Sequence, residues 1–526
     1  MPLPDEPIQW PPKPFDDHRE ELKTHNAWYA NDTDELTRIY RAGGQVRPAQ
    51  LAGGVVGALA RFWWGRPNEQ ENHRLHIPAA SDIARAMSDL IFSQSPMFVV
   101  GEDDSVGDRD AAQKRLQKLT GEDDTATALL EAAELGSALG GTFLRLWWDK
   151  EISDKVMFSS VPADSAVPEW RYDRLSAVTF STVVRSDKDV LYRHLERHEA
   201  GKIFHGLYRG EAGHLGRKLP LEDVPETEWA GKIVDKDGAI LTGSDMLAAR
   251  YVPNVRPNRK WRTVPGLAPL GRSDFDGLEP LFDALDEAYT SWMRDLDLGK
   301  ARLFVDEDML RAEKGGQGAS FDSEQAIFTP MKAGLGSAVS GGSGIMANQF
   351  TIRWQEHSNT CAELLAAIMR GAGLSSSSVA DGALTAAVSK TATEVNSADR
   401  MSERTRDKKI KYWKSELRPL SMAAMQIDNH IFGTGIELKE MPEVRFPIRP
   451  QQDPVAQSGS IAALRAAKSM SIEQSVRERN PNWSSDDVND EVDRIVKDMK
   501  MEAELMMAQP EPPELDDPQY EGDDAR

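Results

Sequence analysis

The hydrophobic repeat of this chain changes from a helical period to a strand period and back, and this change most constrains its fold. Between Thr142 and about Arg262, apolar and polar residues alternate in "TFLRLWWD", "AVTFSTVVR", "VLYRHLERHE" and "KIFHGLYRG". Such alternation, with many β-branched and aromatic residues, is typical of strands. The flanking segments instead repeat their apolar residues every three or four positions, as helices do. The sequence therefore predicts an α+β, mainly helical chain with an antiparallel sheet between helical regions.

Residues 274–298 carry the clearest helical pattern. One stripe is apolar and the rest of the surface is acidic. The apolar positions are Leu278, Leu281, Phe282, Leu285, Tyr289, Trp292, Met293 and Leu296. A second amphipathic helix is predicted in "WQEHSNTCAELLAAIMRG", after about fifty residues that contain "GGQGAS" and "GGSG". Two helices thus bracket a Gly-rich insertion.

The segment "GLSSSSVADGALTAAVSKTATE" follows the second helix and has small, nearly neutral side chains. Its composition alone favours a flexible linker. A long polar helix is predicted from about Thr385 to Phe432, and Pro419 should kink or break it. A last helical part runs from about Pro454 to Met507, with Ser471 and Gln474 as a capping box. The acidic, Pro-rich tail after it is predicted to be disordered.

Charge and cysteine content exclude several classes of function. Acidic residues number 85 against 63 basic ones, giving a net charge of -22, which argues against tight DNA binding. Because Cys361 is the only cysteine, no intrachain disulfide and no thiolate zinc cluster can form. We expect no signal peptide and no membrane association, since the most apolar stretch, "LAGGVVGALARFWWG", is short and contains Arg61.

Catalytic motifs are scarce. The sequence has no P-loop, G-x-S-x-G, H-E-x-x-H or C-x-x-C motif. The best candidate metal site lies in a predicted hairpin around "EAGK". A two-residue turn there pairs Glu196 with His205 and His198 with Ile203, and places His194, Glu196, His198 and His205 on one face. These side chains are either transition-metal ligands or ordinary cross-strand polar pairs.

The order of the parts, together with several local stretches, resembles the portal proteins of tailed bacteriophages, in particular the siphophage type found in phages of actinobacteria. The resemblance covers about residues 25 to 505. It is carried by "IPAASDIARAMSDLIFSQSP", "LLEAAELGSALGGTFLRLWWD", "VLYRHLERHEAGKIFHGLYRG", "GLEPLFDALDEAYTSWMRDL" and "SIEQSVRERNPNWSSDDVNDEVDRI".

The resemblance implies a portal fold with wing, stem, clip and crown regions, assembled as a ring around a central channel. The implied regions are an N-terminal arm at 1–24, the wing at 25–273, the first stem helix at 274–299, the clip at 300–353, the second stem helix at 354–372, the tunnel loop at 373–386, a wing helix and strand at 387–450, the crown at 451–510 and an acidic tail at 511–526.

The implied function is that of a channel and not of an enzyme. A homo-oligomeric ring, usually of twelve subunits, sits at one capsid vertex of the virion after assembly in the host cytoplasm. Double-stranded DNA passes through it without sequence specificity during packaging and ejection. The implied partners are the terminase large subunit, the major capsid and scaffolding proteins and a head-tail adaptor, and no cofactor is expected.

Candidate site residues follow from this resemblance. Stem helices that pack side by side need an apolar stripe toward their neighbours and a polar face toward the channel. The predicted subunit-packing residues are Leu281, Leu285, Trp292, Leu364 and Ile368. The predicted channel-lining carboxylates, which are otherwise a plain solvated helix face, are Asp283, Asp286, Glu287, Asp295 and Asp297. The predicted DNA-facing loop residues are Ser375, Ser376, Ser377, Ser378, Asp381 and Lys390.

Two other functions remain open. One is a metal-dependent hydrolase or nuclease that uses His194, His198 and His205. The other is a different ring-forming connector component, such as an adaptor.

Overall fold

The computed structural model describes residues 3–43, 75–101, 109–299, 302–306, 328–331, 345–348, 352–375, 392–447, 454–480 and 485–507. The chain divides into two compact units, Met1–Val444 and Arg445–Arg526. Among the described residues, no helix is both long and apolar enough to cross a membrane.

Nine described helices belong to the first unit. They are α1 (Phe15–Ala30), α2 (Thr33–Gly43), α3 (Ala79–Phe92), α4 (Arg109–Thr120), α5 (Asp123–Leu139), α6 (Pro225–Ile233), α7 (Glu279–Leu298), α8 (Trp354–Ala372) and α9 (Ala392–Phe432). Short 3₁₀ turns occur at Ala163–Ser165 and Leu221–Asp223.

The strands form four described sheets. They are β1 (Met97–Val99), β2 (Gly141–Trp147), β3 (Met157–Pro162), β4 (Ala166–Arg171), β5 (Arg174–Asp187), β6 (Val190–Glu199), β7 (Lys202–Glu211), β8 (His214–Leu219), β9 (Ala239–Leu241), β10 (Ala249–Pro253), β11 (Arg302–Asp306), β12 (Phe328–Met331), β13 (Ile345–Asn348) and β14 (Glu443–Arg445). The largest sheet has the order β4-β5-β6-β7-β8, with β9 also paired to β7. The others have the orders β10-β2-β3, β12-β11-β13 and β1-β14.

The predicted antiparallel sheet between helical regions is confirmed, although it is divided in two. All strand pairs of the β4–β9 sheet and of the β10-β2-β3 sheet are antiparallel. The two sheets share one apolar core, in which Phe143 of β2 contacts Phe180 of β5 edge to face at 5.7 Å between ring centroids. Alternation along each strand gives each sheet the apolar face that this core requires.

The register of the β6–β7 hairpin is the predicted one. Glu199 pairs with Lys202, so that Ala200 and Gly201 form the two-residue turn, and Glu196 pairs with His205. Gly201 has a φ of 83°, a left-handed conformation that glycine adopts without strain. A turn of two residues fixes the pairing of every residue that follows.

The largest helical core joins α1, α3, α7 and α8. Its fully buried members include Trp28 of α1, Met87 of α3, and Phe282 of α7. The rings of Trp28 and Phe282 lie 5.3 Å apart between centroids. The apolar stripe predicted on residues 274–298 therefore faces α1, α3 and α8 of the same chain.

The predicted ends of the two amphipathic helices were largely correct. Helix α8 spans the expected residues and ends at Gly373, whose φ is 82°. Helix α7 begins at Glu279, five residues later than the pattern suggested, because Gly277 with a φ of 82° separates it from the preceding turn.

Helix α9 is continuous through Pro419, so the helix does not break there, and the alternative of a kink stays a prediction. Proline removes one backbone hydrogen bond from a helix interior. Buried residues on both sides, Leu417, Leu420 and Ala424, hold the helix against the rest of the unit. Tertiary packing of this kind outweighs the local cost of one missing bond.

The second unit contains α10 (Pro454–Ala466), α11 (Ile472–Arg479) and α12 (Ser485–Met507). Ser471 caps α11 as predicted, since its Oγ accepts a hydrogen bond from the backbone N–H of Gln474 at 3.0 Å.

Candidate functional site

Helix α7 is held along its length by three histidines that come from three different parts of the chain. The Nε2 atom of His25, on α1, lies 3.1 Å from a carboxylate oxygen of Glu279. Nδ1 of His76 lies 2.8 Å from Asp286, and Nε2 of His357, on α8, lies 2.8 Å from Asp295. These pairs occur at both ends and in the middle of α7, so they fix its position relative to α1 and α8.

Asp286 lies inside the chain, and its predicted role in lining a channel was wrong. Its side chain is 1% exposed. One carboxylate oxygen accepts a hydrogen bond from the backbone N–H of Ile77 at 2.8 Å, and the other is hydrogen-bonded to His76. The second ring nitrogen of His76 lies 2.9 Å from Oδ1 of Asn31. A buried carboxylate needs such partners, and a side chain that is 1% exposed cannot line a channel.

The other four predicted carboxylates differ in exposure. Glu287 and Asp297 are exposed, whereas Asp283 is half-buried. Asp295 is 24% exposed and accepts hydrogen bonds from Arg353 and His357, both at 2.8 Å. The bonds from His357 and Arg353 hold the pKa of Asp295 below its usual value.

The amino-terminal pair of α7 is also partly buried. Burial opposes ionisation of Glu279, but the hydrogen bond from His25 prevails and lowers the pKa of this carboxyl. The carboxylate therefore stays charged where α7 packs on α1.

Two of the five predicted subunit-packing residues are instead core residues of their own chain. Leu285 and Ile368 are 1% and 0% exposed, so neither can touch a neighbouring subunit. Leu281, Trp292 and Leu364 are half-buried against the same core. The amphipathic pattern did not distinguish burial within the chain from burial between chains.

A different set of apolar side chains is exposed near the carboxyl end of α7 and at the amino end of α8. Met293 and Leu296 of α7 are 40% and 36% exposed, and Trp354 at the start of α8 is 58% exposed. Arg353, which precedes Trp354, is ion-paired to Asp295, which precedes Leu296. We call Met293, Leu296 and Trp354 the apolar end of the helix pair.

Ser375, predicted to face DNA, is instead an anchor to α9. It is 6% exposed, and its backbone N–H donates to Oγ of Ser402 at 2.9 Å. Nearby, the hydroxyl of Thr405 donates to the carbonyl of Gly373 at 2.7 Å. The remaining loop predictions, Ser376, Ser377, Ser378, Asp381 and Lys390, lie outside the described residues.

The hairpin histidines are engaged with protein partners. Glu196 accepts a hydrogen bond from Arg145 at 2.5 Å on one oxygen and lies 2.6 Å from Nε2 of His198 on the other. His194 and His205 stack, with 3.1 Å between Nε2 and Nδ1. In the described parts of the chain, no group of three or more His, Cys, Asp and Glu side chains is arranged to hold a metal ion. These side chains therefore contact one another, within β6 and across to β7, and Arg145 of β2.

Burial dominates the electrostatics of these side chains. It lowers the pKa of His205 to about 4 and also lowers the pKa of His194. Burial opposes ionisation of Glu196, but the bond to His198 and the charge of Arg145 hold its pKa well below the usual value. The face thus contains neutral His194 and His205 beside an ionised carboxylate.

Sequence reasoning missed two ionic contacts that hold α9 to the rest of the first unit. Asp428 is fully buried and accepts two hydrogen bonds from Arg115 of α4, at 2.7 and 2.6 Å. Lys409 is buried and donates to Asp274 and to Oδ1 of Asn254. No local pattern marks these pairs, because their members are more than a hundred residues apart.

Comparison with known proteins gives one family. The family model described as phage portal protein, SPP1 Gp6-like, matches residues 14–505. No curated protein matches the chain.

Solved structures of gene transfer agent particles show a distant likeness. The neck of a native particle, computed with C12 symmetry, is 12% identical over 84% of this chain and 96% of that chain, with a TM-score of 0.35. The virion of the native gene transfer agent particle is 11% identical over 83% and 95%, with a TM-score of 0.36. Sequence identities and TM-scores this low support no inference about function.

Proposed function

Because the chain belongs to the SPP1 Gp6-like family of phage portal proteins, we propose that it forms a ring through which double-stranded DNA enters and leaves a capsid. The family match from residue 14 to 505 carries this proposal. We propose a ring of twelve copies at a single capsid vertex of the virion, assembled in the host cytoplasm. The protein is structural in this role and carries out no chemical step.

Helices α7 and α8 are the proposed stem. The histidine contacts and the shared core make this pair a rigid unit within each chain. Glu287 and Asp297 remain exposed on α7, and we propose that they line the channel. Carboxylates repel DNA phosphates, so a duplex passes without being held. The net charge of -22 acts in the same direction.

The apolar end of the helix pair is the proposed contact between neighbouring subunits. Met293, Leu296 and Trp354 are large apolar side chains that the chain itself leaves in solvent. Clusters of exposed apolar residues favour association with another protein surface. In a ring, that surface is the adjacent copy of the same helix pair.

The remaining regions are assigned by the family resemblance. We propose that residues 300–353 form the clip and dock the terminase large subunit and the head-tail adaptor, and that residues 451–510 form the crown. Major capsid and scaffolding proteins are the proposed partners of the wing, formed by residues 25–273 and 387–450. The tunnel loop is proposed to begin after Ser375, since that residue is buried against α9.

Ring formation is the most direct test of this proposal. We expect purified protein to show rings with a central channel by negative-stain electron microscopy, and a matching mass by light scattering. A protein that stays monomeric across a range of salt and protein concentrations contradicts the proposal.

A metal-dependent hydrolase is not proposed. The candidate ligands on the hairpin already contact each other and Arg145, and the carboxylate of Glu196 has a partner on each oxygen.

A further inference from the structure

A cavity of about 360 Å³ opens between the tip of the β4–β5 hairpin, β10 and α9. Three arginines line it, Arg174, Arg250 and Arg256. Tyr172 of the hairpin tip and Tyr412 of α9 supply aromatic surface. Three guanidinium groups in one cavity repel each other unless an anion lies between them.

Arg250 is the most poorly satisfied of these arginines. Its Nε atom is buried and has no hydrogen-bond partner in the described part of the chain. Burial lowers the pKa of its guanidinium, the charge of Glu416 opposes this shift, and the charge of Arg174 adds to it. A buried donor atom without an acceptor is costly, because it has lost its hydrogen bond to water.

Arg256 is only partly satisfied. Its guanidinium donates to the backbone carbonyl of Pro269, but its Nε atom is buried and unpartnered among the described residues. Arg174 is exposed at the start of β5. The cavity is therefore lined by guanidinium groups from β5, from β10 and from the segment after β10. The Nε donors of Arg250 and Arg256 have no hydrogen-bond partner among the described residues.

The carboxylates of the cavity offset only part of the positive charge of these arginines. Asp173 and Glu416 are its two acidic lining residues. Glu416 accepts only the hydroxyl of Ser415, at 3.3 Å. Burial raises the pKa of Glu416, and the charges of Arg250, Arg174 and Arg256 oppose this rise without cancelling it. Positive charge is in excess even when both carboxyls are ionised.

The tip of the β4–β5 hairpin is a two-residue turn at the rim of the cavity, since Arg171 pairs with Arg174. Tyr172 and Asp173 have φ values of 46° and 59°, in the left-handed region that glycine and asparagine prefer. Tyr172 is fully exposed, so its ring has no packing role in the chain.

We propose that this cavity binds a tetrahedral oxyanion of the phosphate class, held by Arg250 with Arg174 and Arg256. A dianion is favoured over another carboxylate, because the three arginines outnumber the two carboxyls that the cavity already contains. Arginine N–H groups match the oxygens of such an anion in pairs. The inference is independent of the channel function, which ring formation tests separately.

Inorganic sulfate is the probe for this site, because it is a tetrahedral dianion whose charge is constant near neutral pH. We expect sulfate to bind the full-length protein in isothermal titration calorimetry and to raise its melting temperature. Arg250→Gln should weaken sulfate binding by about tenfold, since it removes a charged donor. Arg171→Gln removes the same charge at an exposed hairpin position outside the cavity, and should leave sulfate affinity within about twofold.

Glu416→Gln distinguishes an anion site from a closed network. If the cavity serves an anion, this change removes a repulsive charge and should tighten sulfate binding severalfold without loss of stability. If Glu416 is the structural counterion of the arginines, the change lowers the melting temperature and does not tighten binding, which overturns the proposal. Equal losses in Arg250→Gln and Arg171→Gln also overturn it.

A second arm identifies the source of the phosphate. A short DNA duplex and inorganic phosphate are each titrated into wild type and Arg250→Gln. Binding of phosphate alone, dependent on Arg250, assigns the site to a free anion. Duplex binding that depends on Arg250 and is displaced by sulfate assigns it to a nucleic-acid backbone. Absence of any Arg250-dependent binding contradicts the proposal.

Discussion

At the scale of single residues, the buried histidines make the stability of the first unit depend on pH. Burial lowers the pKa of both His18 and His205 to about 4, against an ordinary value of 6.5. The unfolded chain therefore binds protons at a higher pH than the folded chain. The stabilisation from the neutral rings is complete above pH 6.5 and is lost as the pH falls toward 4.

We expect His205→Gln to reduce this loss. The lowered pKa of His205 corresponds to roughly 3 kcal/mol of unfolding free energy between pH 7 and pH 4. The variant should lose less stability over that range than wild type, as measured by urea unfolding at several pH values. His214→Gln, the same substitution at an exposed position, is the matched control. An unaltered slope in His205→Gln would contradict the assignment.

Asp286 and Glu287 are neighbours in the sequence with opposite environments. Asp286→Asn leaves His76 without its buried carboxylate, and we expect it to destabilise the chain by about 3–5 kcal/mol. Glu287→Gln, at an exposed position, should change stability by less than about 0.5 kcal/mol. Chemical unfolding of the two variants tests this contrast. Similar values would mean that Asp286 is not a buried partner of His76.

At the scale of elements, two ionic contacts hold α9 in place. Asp428 and Arg115 form a buried pair with two hydrogen bonds. We expect Asp428→Asn alone to cost about 3–5 kcal/mol, because it leaves a guanidinium with an unmatched charge. The double variant Arg115→Met, Asp428→Leu should cost less than Asp428→Asn, since no unpaired charge remains. If the double variant loses as much unfolding free energy as the two single variants Arg115→Met and Asp428→Leu lose together, the pair is not coupled.

The apolar end of the helix pair is the place to test contacts between subunits. Leu296→Glu should weaken ring formation while leaving the monomer folded, because Leu296 is partly exposed and outside the buried core. Leu296→Met keeps the apolar surface and should assemble normally. Light scattering reports the assembly and circular dichroism reports the fold. Normal rings from Leu296→Glu would exclude this surface from the interface.

At the scale of the whole molecule, the acidic charge is expected to prevent DNA from adhering to the channel. Glu287→Lys combined with Asp297→Lys should create salt-dependent duplex binding by the ring, since lysines release counterions from phosphates. Binding is measured by fluorescence anisotropy against salt concentration. The control variant carries glutamine at both positions, and it should bind the duplex less tightly than the lysine variant. Equal duplex affinity in wild type and the lysine variant would place these positions away from the DNA path.

Much of the fold could be predicted from the sequence because its determinants are local. The β6–β7 register followed from a two-residue turn, and α8 followed from its apolar stripe and Gly373. The continuity of α9 through Pro419 could not be predicted, because it depends on packing on both sides of the proline.

The candidate site was predictable only in outline. The sequence identified α7 as amphipathic and acidic, and five of its carboxylates as candidates for a polar channel face. It did not show that His76 and Ile77, more than two hundred residues away, enclose one of them. Nor did the stripe show that Leu285 and Ile368 are covered by their own chain.

The sequence by itself determined the α+β character, the two amphipathic helices, the hairpin register and the acidic charge, because each depends on residues within a few positions of each other. The tertiary structure alone decided which charges of α7 are buried, which apolar residues are left exposed, and how α9 is held by Arg115 and Asp274. It also brought Arg174, Arg250 and Arg256 to one cavity. These contacts join distant segments, and the period of a local pattern contains no information about which segments meet.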